Sequence, residues 1–218
     1  MSIYLSIIIP AFCEEKKIAS DVYDACKYIE KYNYEGEIIV VDDGSTDNTY
    51  EILKSLKQKL PMLKIISYKT NKGKGYALKT GIINSAGEYV MFADSGLCAP
   101  YEYIEKGIEK LEKNYDIVIA SRYLQDSSMT IKQTQHRKIG SKLFRFVVRL
   151  WFNLISISDT QCGFKIFKGN IARKIYKQCK TDHNVNPCPT TAPLRPTAPP
   201  SAPGVTQGPM PTVAPPPG

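Results

Sequence analysis

Short β-branched runs alternate along the first 120 residues with longer segments whose apolar residues recur every three or four positions. The runs predict buried strands, the longer segments predict amphipathic helices, and their alternation is typical of a mainly parallel sheet covered by helices. The predicted strands are Leu5 to Ile9, Glu37 to Val41, Lys64 to Tyr68, Tyr89 to Ala93 and Asp116 to Ala120. The predicted helices are Glu15 to Lys31, Asn48 to Leu60, Gly75 to Ser85 and Pro100 to Lys113. We therefore expect an α/β fold.

The C-terminal segment has a different composition. Of the 15 prolines, 12 lie between residues 181 and 218, where there is no aromatic residue. A segment of Pro, Thr, Ala and Gly at this density cannot bury a core, so it is predicted to be disordered and partly polyproline II. We expect one folded domain over residues 1–180, followed by a disordered Pro-rich tail over 181–218.

Charge and cysteine content exclude several classes of protein. The formal net charge is +8, but the basic residues are spread over lysine-rich helices and no base-stacking motif occurs, so nucleic-acid binding is not expected. The six cysteines form no C-x-x-C pair, which favours free thiols over a zinc ribbon or a disulfide framework. No secretory leader pattern and no run of about 18 apolar residues is present, which predicts a cytoplasmic protein with at most peripheral membrane contact.

Residues 138–155 form the most apolar helical pattern in the chain. At about 100° per residue, its four basic side chains fall within one narrow arc, and Trp151 and several phenylalanines lie on the remaining surface. Basic residues beside an aromatic and aliphatic face suit a helix that lies on an anionic membrane. A core helix with one solvated basic stripe is the alternative interpretation.

Polar residues follow the ends of the predicted strands, where ligands of open parallel sheets bind. Asp42 and Asp43 could accept hydrogen bonds from a base or ribose. Asp94 is the best single candidate for a Mg²⁺ or Mn²⁺ ligand, since Mg²⁺ often takes one carboxylate with water and substrate phosphate. Asp47 is predicted to cap a helix or form a turn, and the Asn48-x-x-Glu51 pattern resembles a capping box.

The segment from Asn71 to Gly75 combines flexible glycines with Lys72 and Lys74 directly before a predicted helix. A helix N-terminus and two ammonium groups favour an anion. The segment matches neither the dinucleotide fingerprint nor the Walker phosphate loop, so this signal is weak alone.

Five ordered motifs resemble those of family 2 glycosyltransferases, most closely the dolichyl-phosphate β-glucosyltransferase branch. They are Pro10-Ala11-Phe12-Cys13-Glu14-Glu15, Val40-Val41-Asp42-Asp43-Gly44-Ser45-Thr46-Asp47, Asn71-Lys72-Gly73-Lys74-Gly75-Tyr76-Ala77, Phe92-Ala93-Asp94 and Asp159-Thr160-Gln161-Cys162-Gly163-Phe164-Lys165. The resemblance implies a GT-A fold, a nucleotide-sugar donor with UDP-glucose favoured, a divalent metal, inversion at the anomeric carbon and a polyprenyl or dolichyl phosphate acceptor.

The resemblance also implies residue roles. Pro10, Phe12, Glu14, Asp42 and Asp43 are expected to contact the nucleoside. Asp94 is expected to bind the metal, and Arg122 to contact the donor diphosphate or the acceptor phosphate. Asp159, Gln161 and Lys165 are expected to line the acceptor side.

Two interpretations stay open. Where the family has Asp-x-Asp, this chain has Asp94-Ser95-Gly96, so the second acid is absent. The chain also turns into the Pro-rich segment where the family adds further elements. One interpretation is an active transferase on the cytoplasmic membrane face. The other is a catalytically impaired or truncated homologue that retains nucleotide-sugar binding.

Overall fold

A computed structural model describes residues 2–93, 100–120 and 163–179, together with the backbone of 205–208. The strands of the described part are β1 Leu5–Ala11, β2 Gly36–Asp42, β3 Leu63–Ser67, β4 Tyr89–Ala93, β5 Ile117–Ala120, β6 Phe164–Lys168 and β7 Val205–Gly208. Its helices are α1 Ile18–Lys31, α2 Thr49–Lys59, α3 Lys74–Ile83, α4 Tyr103–Glu112 and α5 Gly169–Gln178.

The strands form one sheet in the order β3-β2-β1-β4-β6-β5-β7. β1 pairs in parallel with β2 and β4, and β2 pairs in parallel with β3. β6 is antiparallel to both of its neighbours, β4 and β5. The predicted α/β fold with a mainly parallel sheet is thus confirmed, and the five predicted strands and four predicted helices match observed elements within three residues at each end.

Three elements were not predicted. β6 begins within the last two residues of the motif that was assigned to the acceptor side, and α5 follows it directly. β7 pairs in parallel with β5 and lies within the segment predicted to be disordered, so these four residues depart from that prediction. The domain boundary near residue 180 stays a prediction.

The sheet separates two hydrophobic cores, because successive side chains of a strand point to opposite faces. Ile7 and Ile9 of β1 pack in the larger core with residues of α1, α2 and α4, whereas Ile8 packs in the smaller core with residues of α3 and α5. β1 is buried along its whole length, which is typical of a central parallel strand covered on both faces.

A buried carboxylate ties the amino-terminal ends of the strands together. Glu37 of β2 is only 2% exposed, and its Oε1 accepts hydrogen bonds from Ser6 Oγ and from the Ala86 backbone N–H, both at 2.6 Å. Lys64 Nζ donates to Oε2 at 2.5 Å. Burial alone would raise the pKa of Glu37, but these hydrogen bonds outweigh it and lower the pKa.

A partly buried hydrogen-bond network holds α1 and α4 together. The Tyr34 hydroxyl donates to the Glu105 carboxylate of α4 at 2.7 and 2.8 Å, and the Tyr28 hydroxyl of α1 donates to Oε1 of the same group. Burial and then the Glu105 hydrogen bond raise the pKa of both tyrosines.

No helix within residues 2–93, 100–120 and 163–179 has the length and apolar character needed to cross a membrane. The segment 138–155, predicted to lie on a membrane surface, is outside the described residues.

Candidate active site

The carboxyl ends of β1, β2, β3 and β4 meet at one edge of the sheet, because these strands are parallel neighbours. The loops that leave this edge are residues 12–17 after β1, 43–48 after β2 and 68–73 after β3. Of the predicted site residues that the structure describes, Phe12, Glu14, Asp43 and Lys72 lie in these loops, and Pro10, Asp42 and Lys74 lie in the strand and helix ends beside them. This edge is therefore the candidate active site.

Hydrogen bonds join the loop after β1 to the loop after β2. The Asp43 backbone N–H donates to the Ala11 carbonyl at 2.8 Å, and the Cys13 N–H donates to Ser45 Oγ at 2.9 Å. The Glu14 N–H donates to Thr49 Oγ1 at 2.8 Å. Cys13 has φ = 54°, a left-handed conformation that this Ser45 contact helps to hold. The two loops thus form one connected rim.

Asp47 stabilises the same rim from the start of α2. Its Oδ1 accepts hydrogen bonds from the Thr49 N–H at 3.0 Å and the Thr49 hydroxyl, and its Oδ2 accepts one from the Glu15 N–H at 3.2 Å. Burial alone would raise the pKa of Asp47, and these bonds reverse the shift to a lower value. The predicted turn and cap role of Asp47 is confirmed. The predicted Asn48–Glu51 capping box is wrong, because Asn48 makes no side-chain cap bond and donates to Glu15 instead.

Asp42 and Asp43 are both buried, at 2% and 3% exposure. The two oxygens of Asp42 accept hydrogen bonds from the Ser45 N–H at 3.1 Å and the Ser67 hydroxyl at 2.9 Å. Asp43 Oδ1 accepts from the Lys72 backbone N–H at 2.8 Å. In the described structure Asp42 therefore organises the end of β2, and Asp43 connects β2 to the loop that carries the two predicted lysines.

Gly44 allows the loops after β2 and β3 to approach closely. It has φ = 73°, and a Cβ at this position would lie 2.7 Å from the Asn71 nitrogen and 2.8 Å from the Thr70 carbonyl carbon. Both are backbone atoms that cannot move aside as a side chain can. A glycine is thus required at this position both by its positive φ angle and by the close approach of the neighbouring backbone.

Lys72 and Lys74 lie at the start of α3. Lys74 is the first helical residue and Gly73, at φ = 84°, is the N-cap. The Lys72 ammonium lies 4.5 Å from the ring centroid of Tyr76 and 5.3 Å from that of Tyr68. The backbone N–H groups at a helix N-terminus and two cations make this corner suitable for an anion.

Lys165 lies on β6, opposite Phe92 of β4 and Ile119 of β5. It is 3% exposed, and its ammonium lies 5.1 Å from the centroid of the Phe92 ring. β6 runs antiparallel to β4, so its first residues reach the edge where β4 ends. This places a buried cation next to the strand end that Asp94 follows.

The remaining predicted nucleoside contacts differ in exposure. Phe12 is 47% exposed, which is unusual for a phenylalanine and leaves its ring open to a ligand. Glu14 is half-buried in the same loop. Pro10 is buried inside β1, paired with Val41, so it shapes the strand end instead of lining an open surface.

Asp94, Arg122, Asp159 and Gln161 lie outside the described residues. Within the part of the chain that the structure describes, no group of three or more His, Cys, Asp and Glu side chains could hold a metal ion. The carboxylates of Asp42 and Asp43 are already hydrogen-bonded to the chain. Asp94, the metal ligand expected from the sequence, follows the last residue of β4.

The sequence-based interpretation missed two tyrosines of this corner. Tyr68 and Tyr76 pack edge to face, with ring centroids 5.5 Å apart, and the Lys72 ammonium lies near both rings. The Tyr68 hydroxyl is buried without a well-formed hydrogen bond to any described residue, although burial and the nearby Asp43 carboxylate raise its pKa. The feature of the sequence that could have indicated the Tyr76 contact is the four-residue spacing of Lys72 and Tyr76.

Comparison with known proteins gives a family for this arrangement. The sequence model of Glycosyl transferase family 2 matches residues 6–188, which include all the loops described above. The chain belongs to glycosyl transferase family 2.

Curated relatives of this family 2 chain include dolichyl-phosphate β-glucosyltransferases. The Dictyostelium discoideum protein is 36% identical over 189 residues, which cover 80% of this chain and 57% of the relative. The Saccharomyces cerevisiae protein is 33% identical over 198 residues, covering 83% of this chain and 59% of the relative. The chain thus spans less than two thirds of the length of these relatives.

Solved structures share the fold. Staphylococcus aureus TarS 1–349 superposes with a TM-score of 0.54 at 21% identity, covering 83% of this chain and 52% of that one. Glucosyl-3-phosphoglycerate synthase from Mycobacterium tuberculosis gives 0.55 at 20% identity, covering 78% and 58%. The predicted GT-A fold is confirmed.

Proposed function

We propose that this chain transfers a hexose from a nucleotide sugar to a polyprenyl phosphate, with inversion at the anomeric carbon. UDP-glucose is the favoured donor and dolichyl phosphate the favoured acceptor. The similarity to dolichyl-phosphate β-glucosyltransferases from several organisms supports this choice.

One observation carries the proposal. The loops after β1, β2 and β3, which hold the family-like motifs, are hydrogen-bonded to one another at a single edge of the sheet. Hydrogen bonds between loops preorganise a ligand site before the ligand binds, which lowers the entropic cost of binding.

Roles in donor binding follow from chemistry and position. Phe12 would pack against the nucleoside, with Glu14 and Asp43 as hydrogen-bond acceptors near the base or ribose. Lys72 and Lys74 would face the diphosphate at the start of α3. Asp42 and Pro10 would act by shaping the end of the strands.

A divalent cation fits the remaining chemistry. Asp94 would hold Mg²⁺ or Mn²⁺ with water and diphosphate oxygens as the other ligands, and the ion would neutralise charge on the leaving group. Asp94 would be the residue that orients the cation with respect to β4.

The acceptor determines how much base catalysis is needed. A lipid monophosphate has a second pKa of about 6, so its attacking oxygen is largely ionised at neutral pH. Arg122 and Lys165 would then act by placing this oxygen in line with the anomeric carbon, with Gln161 beside them. Asp159 becomes important as a general base only if the acceptor is a hydroxyl group.

Access to a lipid acceptor would come from residues 138–155 on an anionic, cytoplasmic membrane face. Changing Lys142, Arg145 and Arg149 together to Glu should abolish co-sedimentation of the chain with vesicles that contain phosphatidylserine. Equal binding of the changed and unchanged chains would exclude this surface as the membrane contact.

A donor and acceptor screen tests the proposal directly. The purified chain is incubated with UDP-glucose or GDP-mannose, dolichyl phosphate and Mg²⁺ or Mn²⁺, and the lipid products are identified by mass spectrometry. We expect dolichyl-phosphate glucose from UDP-glucose, and less product after Lys165→Met. Binding of UDP without any lipid product would refute transfer and leave nucleotide binding.

Gly96 favours that second candidate, a chain that binds the nucleotide sugar without efficient transfer. A glycine cannot supply the second carboxylate of an Asp-x-Asp pair. If this is the defect, Gly96→Asp should increase both Mn²⁺ affinity and product formation. If neither changes, the missing acid is not what limits the chain.

A further inference from the structure

The Lys72 ammonium lies close to two tyrosine rings that pack against each other. It lies 4.5 Å from the Tyr76 ring centroid, 5.3 Å from the Tyr68 ring centroid and 3.4 Å from the Tyr76 hydroxyl. Both ring distances are within the range of about 6 Å where a cation is attracted to an aromatic face. We call these three residues the Lys72 clamp.

The backbone of Lys72 is fixed as well. Its N–H donates to the buried Asp43 carboxylate, and the neighbouring Asn71 backbone packs against Gly44 too closely for any Cβ. The residue is therefore restrained at its main chain by β2 and at its side-chain end by the two rings.

Such restraint has a consequence for anion binding. A free lysine side chain loses most of its rotamer freedom when it contacts a ligand, and this loss opposes binding. A lysine that is already confined loses less, and Lys72 is only half-buried, so a ligand can still reach it. The Tyr68 and Tyr76 rings contribute this confinement.

We propose that Tyr68 and Tyr76 are positioning residues that hold the Lys72 ammonium against the diphosphate of the donor. This inference rests on the proposed function, because it requires a nucleoside diphosphate at the start of α3. It assigns to the clamp a role in donor affinity, whereas transfer itself depends on other residues.

Calorimetry with UDP and with uridine tests the role. Tyr76→Leu removes one ring and should weaken UDP binding about three- to tenfold, since it releases the cation. Uridine, which lacks the diphosphate, should bind equally to both proteins. Tyr76→Phe keeps the ring and should stay within about twofold of the unchanged chain. Tyr23→Leu, at an exposed tyrosine of α1, is the matched control and should have no effect.

A double substitution separates positioning from a merely structural role. In a Lys72→Met background the ammonium is absent, so adding Tyr76→Leu should cause no further loss of UDP affinity. The same loss in both backgrounds would overturn the proposal, as would unchanged UDP binding in Tyr76→Leu. In transfer assays the effect should fall on the KM for the donor with little change in kcat.

An NMR measurement without nucleotide distinguishes failure of the clamp from failure of the proposed function. Ring currents should shift the ε-methylene protons of Lys72 upfield of those of exposed lysines. The shift should shrink in Tyr76→Leu and persist in Tyr76→Phe. An unshifted Lys72 signal would overturn the clamp itself, whereas a shifted signal with no UDP binding would overturn the nucleotide site and the clamp's role there.

Discussion

Replacing Glu37 should destabilise the fold, because its carboxylate connects the amino-terminal ends of the strands. Glu37 lies at the opposite end of β2 from the candidate site. Glu37→Gln keeps the size of the side chain and one acceptor oxygen but removes the charge. Glu37→Ala removes both acceptors, leaving the Ser6 hydroxyl and the Ala86 N–H without this partner.

The magnitudes follow from the contacts. Lys64 is 53% exposed, so its ion pair with Glu37 is screened and should contribute at most about 1 kcal/mol. Weaker hydrogen bonds from the buried Ser6 hydroxyl and the partly buried Ala86 N–H to a neutral amide add about 1 kcal/mol more, which gives a loss of about 1–2 kcal/mol for Glu37→Gln. Leaving the buried Ser6 donor and the partly buried Ala86 donor without this acceptor raises the loss to about 2–4 kcal/mol for Glu37→Ala.

The pH dependence has a defined sign. The folded pKa of Glu37 is lowered below its ordinary value of 4.5, so its carboxylate stabilises the fold fully above that pH. This contribution is lost as the pH falls through the lower, folded pKa. The stability difference between Glu37 and Glu37→Gln should therefore be constant between pH 6 and 7 and shrink below about 4.5.

Urea unfolding followed by circular dichroism, at several pH values, measures these differences. Glu51→Gln is the control, because the Glu51 side chain is 69% exposed and its pair with Lys54 is 3.9 Å long. It should change the free energy of unfolding by less than about 0.5 kcal/mol. A Glu37→Gln loss no larger than the control, or one that does not shrink in acid, would refute the reasoning.

Three further predictions concern other parts of the fold. Gly44→Ala should cost about 2 kcal/mol or more and weaken UDP binding, because its φ is positive and its Cβ would strike backbone; calorimetry and urea unfolding check both effects. Glu105→Gln should cost about 1–2 kcal/mol by weakening two tyrosine hydrogen bonds, whereas Glu109→Gln on the exposed face of α4 should cost almost nothing in the same unfolding assay. Absorbance at high pH should show several tyrosines that ionise above pH 10, including Tyr4, whose pKa burial raises to about 12. Because the fold favours their neutral form, these tyrosines stabilise the fold below pH 10, and this contribution is lost as the pH rises through their folded pKa values.

The alternation of strand and helix patterns predicted most of the fold because the parallel strands are buried on both faces and read as continuous apolar runs. β1 continues two residues beyond its predicted end, through Pro10 and Ala11. Proline is normally a reason to end a strand, since it cannot donate to a ladder. Here β4 pairs with β1 only as far as Ile8, so Pro10 removes no ladder bond to β4.

β6 was missed for a different reason. Its Phe-Lys-Ile-Phe-Lys sequence has two lysines in five residues and was assigned to ligand contact. Lys165 is nevertheless buried at a central strand position, where a cation is rarely found without compensation. The compensation includes the face of the Phe92 ring, a long-range contact that no local pattern predicts.

The positions of the strand ends in the sequence predicted where the site lies. They did not predict which of its side chains bond to the protein itself and which are open to a ligand. Asp42 and Asp43 were both expected to face a ligand, yet Asp42 has its two oxygens occupied by Ser45 and Ser67. Whether an acidic side chain organises a loop or faces solvent depends on donors that come from other strands. The tyrosines around Lys72 illustrate the same limit, since only the fold brings Tyr68 beside Tyr76.

The antiparallel placement of β6 between β4 and β5 has a consequence for how this chain can vary. β5 ends, and β6 begins, at the same edge of the sheet, so residues 121–163 leave and rejoin the fold at adjacent points beside the candidate site. The entropic cost of closing a loop grows only with the logarithm of its length. A change in the length of this connection should therefore leave the register of β6 with β4 and β5 unchanged, provided that Arg122, Asp159 and Gln161 are kept.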